Sequence, residues 1–190
     1  MVSKHVSSGP DDIIGLRDPL GDAFRARVLT DLDPFSIVRG EERPDQLVAE
    51  RAEGAAEPED VVWTTEVGPI LLSNNALSVL TTAKVSGWST IPCAIAAGSK
   101  TWIFNFLTVS GRGAAIDHSA GTSLGRIGSM EKRQGIHFER DDFGSCDIFL
   151  ARSDYRRVFV RKSVKAAFDH AGIGNVAWLP LSEIEYFARV

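Results

Sequence analysis

Hydrophobic and polar positions follow two different periods along this chain, and the change between them predicts strands and helices. The clearest strand is predicted at residues 102–109, which are rich in aromatic and β-branched residues and end before Gly111. Another strand is predicted at residues 88–95. Pro92 interrupts it and has no amide hydrogen, so we expect this strand to lie at a sheet edge or to end there.

The best-defined helix is predicted after a short apolar run at residues 70–72. Apolar residues then recur with the spacing of one helix face: Ala76, Val79, Leu80 and Ala83. Ser73 precedes this stripe. Its hydroxyl is suited to accept a hydrogen bond from a free amide at the helix N-terminus, so we predict that Ser73 is the N-cap.

The C-terminal part of the chain repeats this pattern. An apolar run at residues 158–160 is followed by a stripe with the same spacing: Val164, Ala167, Phe168 and Ala171. Gly172 then stands where a helix commonly ends in the left-handed conformation. A shift of 88 residues superposes 158–180 on 70–92 without a gap and matches ten apolar positions, although only two pairs are identical. We therefore predict an α+β fold, a single domain with two similar strand–helix–strand units packed on a mixed or antiparallel sheet.

The first third of the chain has weaker patterns. Residues 45–52 (DQLVAERA) contain good helix formers, and their propensity predicts a short helix. The Gly, Ala, Pro and Glu residues that follow predict an exposed loop. We expect the acidic segment 40–60 to be mobile and the polar residues 1–12 to be disordered. The single domain of 190 residues then has its core at 66–182.

Length and composition fit one ordinary globular domain. Of the 190 residues, 44% are hydrophobic and 24% charged, which excludes a disordered or collagen-like chain. No apolar run approaches the roughly 18 residues that span a bilayer, and residues 1–12 lack the apolar centre of a secretory signal. The two cysteines, Cys93 and Cys146, make no disulfide framework. We therefore expect a cytoplasmic protein that does not associate with a membrane.

Acidic and basic residues are divided unevenly along the chain. Residues 1–60 hold 14 Asp and Glu against 7 Lys and Arg, whereas residues 61–190 hold 11 against 14. Solvated surface explains most such divisions, and an electrostatic partner for one face is the alternative. The isoelectric point of about 5.6 argues against nucleic acid as the main ligand, because that binding depends on a basic surface.

No catalytic signature occurs in the sequence. None of the four His, two Cys and many Ser residues lies in a nucleophile elbow or a zinc-protease motif, and no spacing typical of a metal site is present. We expect neither a metal nor another cofactor. Asp117 and His118 form the one polar pair beside a strong strand. They could act as acid and base in a small hydrolase or transferase, or Asp117 could accept hydrogen bonds from loop amides.

A basic run precedes and enters the second predicted helix: Arg152, Arg156, Arg157, Arg161, Lys162 and Lys165. Guanidinium groups suit recognition of carboxylate or phosphate, whereas a solvated helix face is the simpler interpretation. Arg161 is predicted at the helix N-terminus, where the helix dipole disfavours a cation. We therefore expect an acid to compensate it, either within the chain or on a partner.

Three blocks of the sequence are similar, in the same order, to segments of a known family. The first covers residues 68–83, from Gly-Pro-Ile-Leu-Leu-Ser through the helix. The second covers 102–119, an aromatic strand with Asn105 followed by an Asp and a Ser. The third covers 147–179 and includes the C-terminal strand–helix–strand. In these blocks the chain resembles the bacterial immunity-protein family eleven.

This resemblance implies an α+β immunity protein, which is a non-catalytic protein that binds a toxin made by the same or sibling cells and occludes it. It assigns no catalytic residue and names no toxin. The similarity covers about residues 66–182. Residues 20–60 match the family only loosely, and Arg161 stands where the family has a small capping residue such as Ser.

The resemblance implies a protein partner, the cognate toxin, and two charged sets are candidates to contact it. One is Arg152, Arg156 and Arg157, before the last apolar strand. The other is Glu57, Glu59 and Asp60, in the acidic loop. Complementary charge on either set would speed association, and solvated surface is the alternative for both. The two similar units could pack within one chain or across a twofold axis, so monomer and homodimer are both open.

Overall fold

A computed structural model of the chain describes residues 10–66, 68–140 and 143–189. The fold is mixed α and β, with 45% strand and three helices in the described residues. The helices are α1 (Pro34–Val38), α2 (Asn74–Thr82) and α3 (Lys162–Ala171). The strands in chain order are β1 (Ile13–Arg17), β2 (Arg25–Leu29), β3 (Leu47–Glu53), β4 (Val61–Thr64), β5 (Ile70–Leu72), β6 (Trp88–Ala97), β7 (Lys100–Val109), β8 (Arg112–Gly113), β9 (Thr122–Ile127), β10 (Met130–Gln134), β11 (Ile148–Ala151), β12 (Asp154–Arg161), β13 (Ala177–Pro180) and β14 (Glu185–Arg189).

Six strands close into a barrel in the order β2-β3-β6-β7-β5-β4. Neighbouring strands are antiparallel except for β2 with β4 and β3 with β6. Side chains fill the interior, as in other small barrels. Along β6, Ile91, Cys93 and Ile95 are buried, whereas Pro92 and Ala96 are exposed. The strand therefore alternates between the filled interior and the outer surface.

Of the two expectations for Pro92, the end of the strand is wrong and a local edge position is confirmed. β6 continues through Pro92, which lies opposite Asn105 of β7, and runs on to Ala97. On the other side of β6, pairing with β3 begins only at Cys93. Pro92 therefore lies at the last position that has no neighbour on that side, where a residue without an amide hydrogen is tolerated.

The helix predicted at residues 45–52 is also wrong, because this segment forms β3. Leu47 and Ala49 are buried and Val48 between them is 43% exposed, the alternation of a strand with one covered face. β3 pairs with β2 on one side and with β6 on the other. Pairing on both sides outweighs the helix propensity of Glu, Ala and Arg.

The remaining strands form a five-stranded sheet, β13-β1-β12-β11-β8, and a three-stranded sheet, β14-β10-β9. The five-stranded sheet is covered on both faces. One face, with Ile14, Leu150 and Val160, shares a hydrophobic core with the barrel interior. The other face, with Phe149 and Phe159, packs with the three-stranded sheet in a second core. Burial on both faces explains why β11 and the end of β12 read as continuous apolar runs.

The two helices predicted from apolar stripes are confirmed, as are the N-cap predicted for the first and the glycine end predicted for the second. α2 follows Ser73, whose Oγ accepts a hydrogen bond from the backbone N of Ala76 at 3.1 Å. α3 ends at Gly172, which adopts the left-handed conformation with φ of 69°. The strand predicted at 102–109 is confirmed as the main part of β7. No helix in the described ranges is long and apolar enough to cross a membrane.

The two strand–helix–strand segments share a connectivity. In each, the helix joins two strands that lie on either side of a third. β5 and β6 are both antiparallel to β7, and β12 and β13 are both antiparallel to β1. The first segment belongs to the barrel and the second to the five-stranded sheet. α2 contacts α3, so the segments meet at their helices.

The N-terminus predicted to be disordered falls largely outside the described residues. Residues 1–9 are not described, and Pro10–Asp12 form one 3₁₀ turn that leads into β1. The acidic segment 40–60 contains β3 and the loop that follows it.

Cys93 and Cys146 are expected to differ in reactivity. Cys93 faces the barrel interior and is 1% exposed, and burial raises the pKa of its thiol to about 11. Cys146 is only partly buried. At pH 8, the thiol reagent DTNB should therefore react with Cys146 in the folded protein and with Cys93 only after unfolding. Cys146→Ser should remove the native reaction, and equal reaction of both thiols before denaturant is added would contradict this.

Candidate functional site

β1 and β12 separate at one end and open a cleft of about 810 Å³ between the barrel and the two sheets. Their antiparallel pairing ends where Gly15 lies opposite Phe159. The next residues of both strands, Leu16 and Arg17 on one side and 156–158 on the other, line the cleft. The end of β4, the connection from β4 to β5 and the start of β14 form the other walls.

The floor of the cleft is apolar. It is formed by Leu16, Trp63, Val158, Leu179 and Ile184. The indole Nε1 of Trp63 donates a hydrogen bond to the backbone O of Asn175 at 2.7 Å, which fixes the ring. A Cβ atom at Gly15 would lie 2.6 Å from Ile184 Cδ1, so only glycine allows Ile184 to pack this closely on β1. The floor is therefore built from side chains that neighbouring elements hold in place.

Part of the charge around the cleft is neutralised within the chain. Arg25 donates from Nε to Asp18 at 2.9 Å and from Nη1 to Glu53 at 3.0 Å. These hydrogen bonds, first that to Asp18 and then that to Glu53, raise the pKa of Arg25. Arg157 forms an ion pair with Asp154 and also donates to a backbone oxygen at the start of β14. Arg25 and Arg157 are therefore fixed parts of the cleft wall.

Four other charged side chains of the cleft form no ion pair with a residue that the structure describes: Arg17, Arg156, Glu66 and Glu183. The guanidinium of Arg156 lies over the ring of Phe35, 5.7 Å from its centroid, a contact that uses its face and not its N–H groups. Oε2 of Glu66 is buried and has no hydrogen-bond partner among the described residues. A buried oxygen without a donor is unfavourable, so this atom marks where an incoming donor would be best accommodated.

Two of the three arginines predicted to contact a partner line the cleft. Arg156 and Arg157 lie on the wall that β12 forms, and Arg157 is occupied by Asp154. Arg152 is exposed in the turn between β11 and β12 and does not line the cleft. The structure thus separates Arg152 from the other two.

The acidic candidates Glu57, Glu59 and Asp60 precede β4 and lie at the opposite end of that strand from the cleft. Glu57 forms an ion pair with Lys100. Asp60 accepts a hydrogen bond from the hydroxyl of Ser73, the residue that caps α2, and so braces the start of that helix. Glu59 is exposed. The structure does not bring this set together with the arginines of the cleft.

Asp117 and His118 do not form an acid–base pair in this structure. Oδ1 of Asp117 accepts hydrogen bonds from the hydroxyl of Ser119 at 2.6 Å and from its backbone N at 2.9 Å, and these bonds lower the pKa of Asp117. The ring of His118 packs 5.6 Å from that of Tyr186, and its Nδ1 is buried without a partner in the described residues. Neither residue lines the cleft. The geometry matches the loop-capping interpretation of Asp117.

The acid expected near Arg161 is within the chain. Arg161 lies at the N-cap of α3, where its side chain makes no capping hydrogen bond. Its Nη1 lies 3.5 Å from Asp12 and its Nε 3.8 Å from Asp147. Nε also donates to the backbone O of Cys146 at 3.2 Å. These contacts offset the unfavourable position of a cation at a helix N-terminus.

Sequence reasoning missed Arg17, Trp63, Glu66 and Glu183, which the fold brings to the cleft from separate segments. The one local signal is that Arg17 is the last residue of β1 and Glu66 lies two residues after the end of β4. Charged residues at strand ends are common, so this signal alone does not select these two.

Comparison with known proteins adds no family or relative. The chain matches no family model and no curated protein. Among the described residues, no group of three or more His, Cys, Asp and Glu side chains is placed to hold a metal ion.

Proposed function

We propose that this protein is a cytoplasmic immunity protein that binds a cognate bacterial polymorphic toxin and neutralises it by direct occlusion, without catalysis. The proposal rests on the resemblance of residues 66–182 to the bacterial immunity-protein family eleven, in three blocks that occur in the same order.

Contacts between the three blocks support the view that they share one core. The first block pairs with the second through Leu71 of β5 and Phe106 of β7. The second block joins the third through the parallel pair of β8 and β11. The first and third blocks also meet where α2 contacts α3. Similarity in all three is therefore similarity in segments that pack against one another.

We also propose that β5-α2-β6 and β12-α3-β13 are two similar units. The ten matched apolar positions support this, as does the common arrangement in which two strands flank a third. Their surroundings differ, because one unit lies in a closed barrel and the other in an open sheet.

The cleft supports a role in binding a protein. An inhibitor that acts by occlusion buries about 800 Å² on each partner and depends on a few anchor side chains near the centre of the interface. The apolar floor of the cleft offers a place for such an anchor. Its unpaired charges, such as Arg156 and Glu66, are groups that a partner of complementary charge would neutralise.

Purification of the tagged protein from its own cells, followed by mass spectrometry, tests the proposal. We expect one stoichiometric partner, a larger multidomain protein whose C-terminal fragment stops growth when it is produced alone. Growth should be restored when that fragment is produced together with this protein, and not when it is produced with an unrelated protein of similar size. Growth arrest that persists at equal amounts of both proteins would contradict the proposal, as would purification of this protein without a partner.

A further inference from the structure

We propose that the cleft between β1 and β12 is where the toxin docks, and that it receives an extended segment of the toxin that carries one large apolar side chain flanked by charged ones. This inference rests on the proposed function and adds to it the contact surface and the chemistry of the segment.

The size and floor of the cleft select a large apolar side chain. A volume of about 810 Å³ lies within the range of roughly 300 to 1,000 Å³ that is typical of ligand sites. Trp63, Val158 and Ile184 on the floor are only 4% to 6% exposed, so they are already packed and need little rearrangement. At the mouth, Leu20 is 60% exposed and has a positive φ of 65°, in a loop that a hydrogen bond from its N to Asp18 holds. An apolar anchor can therefore contact both floor and mouth.

The charges of the cleft select a polypeptide. Arg17 and Arg156 carry guanidinium groups without a carboxylate partner in the described residues, and such groups bind carboxylates through paired N–H donors. Oε2 of Glu66 is a buried acceptor without a donor, which a Lys or Arg side chain can supply. A small anion would be repelled by Glu66 and Glu183, and a small cation by the arginines. A peptide segment provides both signs of charge along its length.

The shape of the cleft favours an extended segment. Its two long walls are the ends of β1 and β12, which run antiparallel and stop pairing at Gly15 and Phe159. A chain laid between two such strand ends can follow their direction and meet their backbone groups, as peptides do when they add to an exposed strand. A helix would instead be about 10 Å wide and would have to separate the two strands further.

The location of the contact can be tested by photo-crosslinking with the toxin fragment recovered by the purification described above. The crosslinker p-benzoylphenylalanine would replace Leu20 at the cleft, Ile103 on β7, or Ile127 on β9. These three positions are almost equally exposed, at 60%, 63% and 60%. β7 lies across the barrel from β2, and β9 is the outer strand of the three-stranded sheet. We expect a crosslink from Leu20 alone, to one short segment of the toxin.

Charge substitutions test the chemistry. Arg156→Glu is expected to weaken toxin binding at least tenfold, whereas Arg152→Glu, a matched change outside the cleft, should alter it less than twofold. Glu66→Gln should weaken binding about tenfold without lowering the thermal stability of the free protein, since it removes a charge that has no partner. Titration calorimetry and thermal unfolding of each variant measure these effects.

The outcomes separate this inference from the proposed function. If the toxin binds but crosslinks only from Ile103 or Ile127, or if Arg156→Glu and Arg152→Glu bind as the unchanged protein does, the cleft is not the contact surface and the immunity function stands. If no toxin fragment binds the unchanged protein, both are overturned. A crosslink from Leu20 to the toxin together with loss of binding in Arg156→Glu supports both.

Discussion

Replacement of Phe159 by alanine is expected to lower the free energy of unfolding by about 3 to 5 kcal/mol, the range measured for Phe-to-Ala changes in protein cores. Phe159 is fully buried in the core between the two sheets. Its ring stacks on that of Phe149 at 5.7 Å and meets that of Phe138 edge-on at 5.4 Å. Removal of the ring leaves a cavity that β12, paired with β1 and β11, cannot close by moving.

Phe187→Ala is the matched control for this prediction. Phe187 is 49% exposed on β14, so its removal should change the free energy of unfolding by less than about 1 kcal/mol. Urea unfolding followed by circular dichroism measures both variants. If Phe159→Ala loses less than about 1 kcal/mol, no more than is expected of Phe187→Ala, the core between the sheets does not depend on Phe159.

Gly111→Ala is expected to destabilise the fold by about 3 kcal/mol or more, at the upper end of the cost of added atoms in a packed interior. The new Cβ would lie 2.1 Å from the backbone O of Ile148 and 2.9 Å from Cys146 Cβ. Gly111 lies between β7 and β8, where the chain passes from the barrel to the five-stranded sheet, and its N donates to the O of Gly87 at 3.0 Å. Relief of the clash therefore requires the barrel and the sheet to move apart.

Gly174→Ala provides the control for the second change. Its Cβ would meet only the end of the flexible Glu59 side chain, at 3.2 Å, so stability should change by less than about 0.5 kcal/mol. The melting temperatures of the two variants, measured by calorimetry, test this difference in stability. If Gly111→Ala melts at the same temperature as the unchanged protein, the close approach of β11 at this position is wrong.

Some elements could be predicted from the sequence because their determinants are local. The stripes of α2 and α3, the cap at Ser73 and the left-handed Gly172 all lie within one or two helical turns of the residues they affect. β7 contains a run of aromatic and β-branched residues that is long enough to predict a strand, and no helical spacing of apolar residues competes with it.

Other elements could not be predicted, because distant partners decide them. β3 has the composition of a helix and becomes a strand through pairing with β2 and β6. β9 was not predicted because all six of its residues are exposed, so its sequence shows no apolar alternation. Pro92 has a free side only because β3 begins to pair with β6 at the next residue, Cys93. The sequence of β6 by itself does not show where that pairing begins.

The candidate site was predicted only in part for the same reason. Arg156 and Arg157 were selected for their charge, and the fold places both in the cleft. The residues next to Glu66 and Arg17 in sequence do not identify either of them as part of a site. They acquire their environment because β1 and β12, nearly 140 residues apart along the chain, separate beside the end of β4.

The position of β1 between β13 and β12 in the five-stranded sheet has a consequence for synthesis of the protein on the ribosome. Ile14 pairs with Val160 on one side and with Pro180 on the other, so its nearer partner is translated 146 residues after it. At a translation rate of about 5 to 20 residues per second, that partner is synthesised roughly 7 to 30 seconds after Ile14. All six barrel strands are complete by residue 109. A nascent chain can therefore close its barrel early, whereas translation that stops before residue 159 leaves β1 without either of the strands that pair with it.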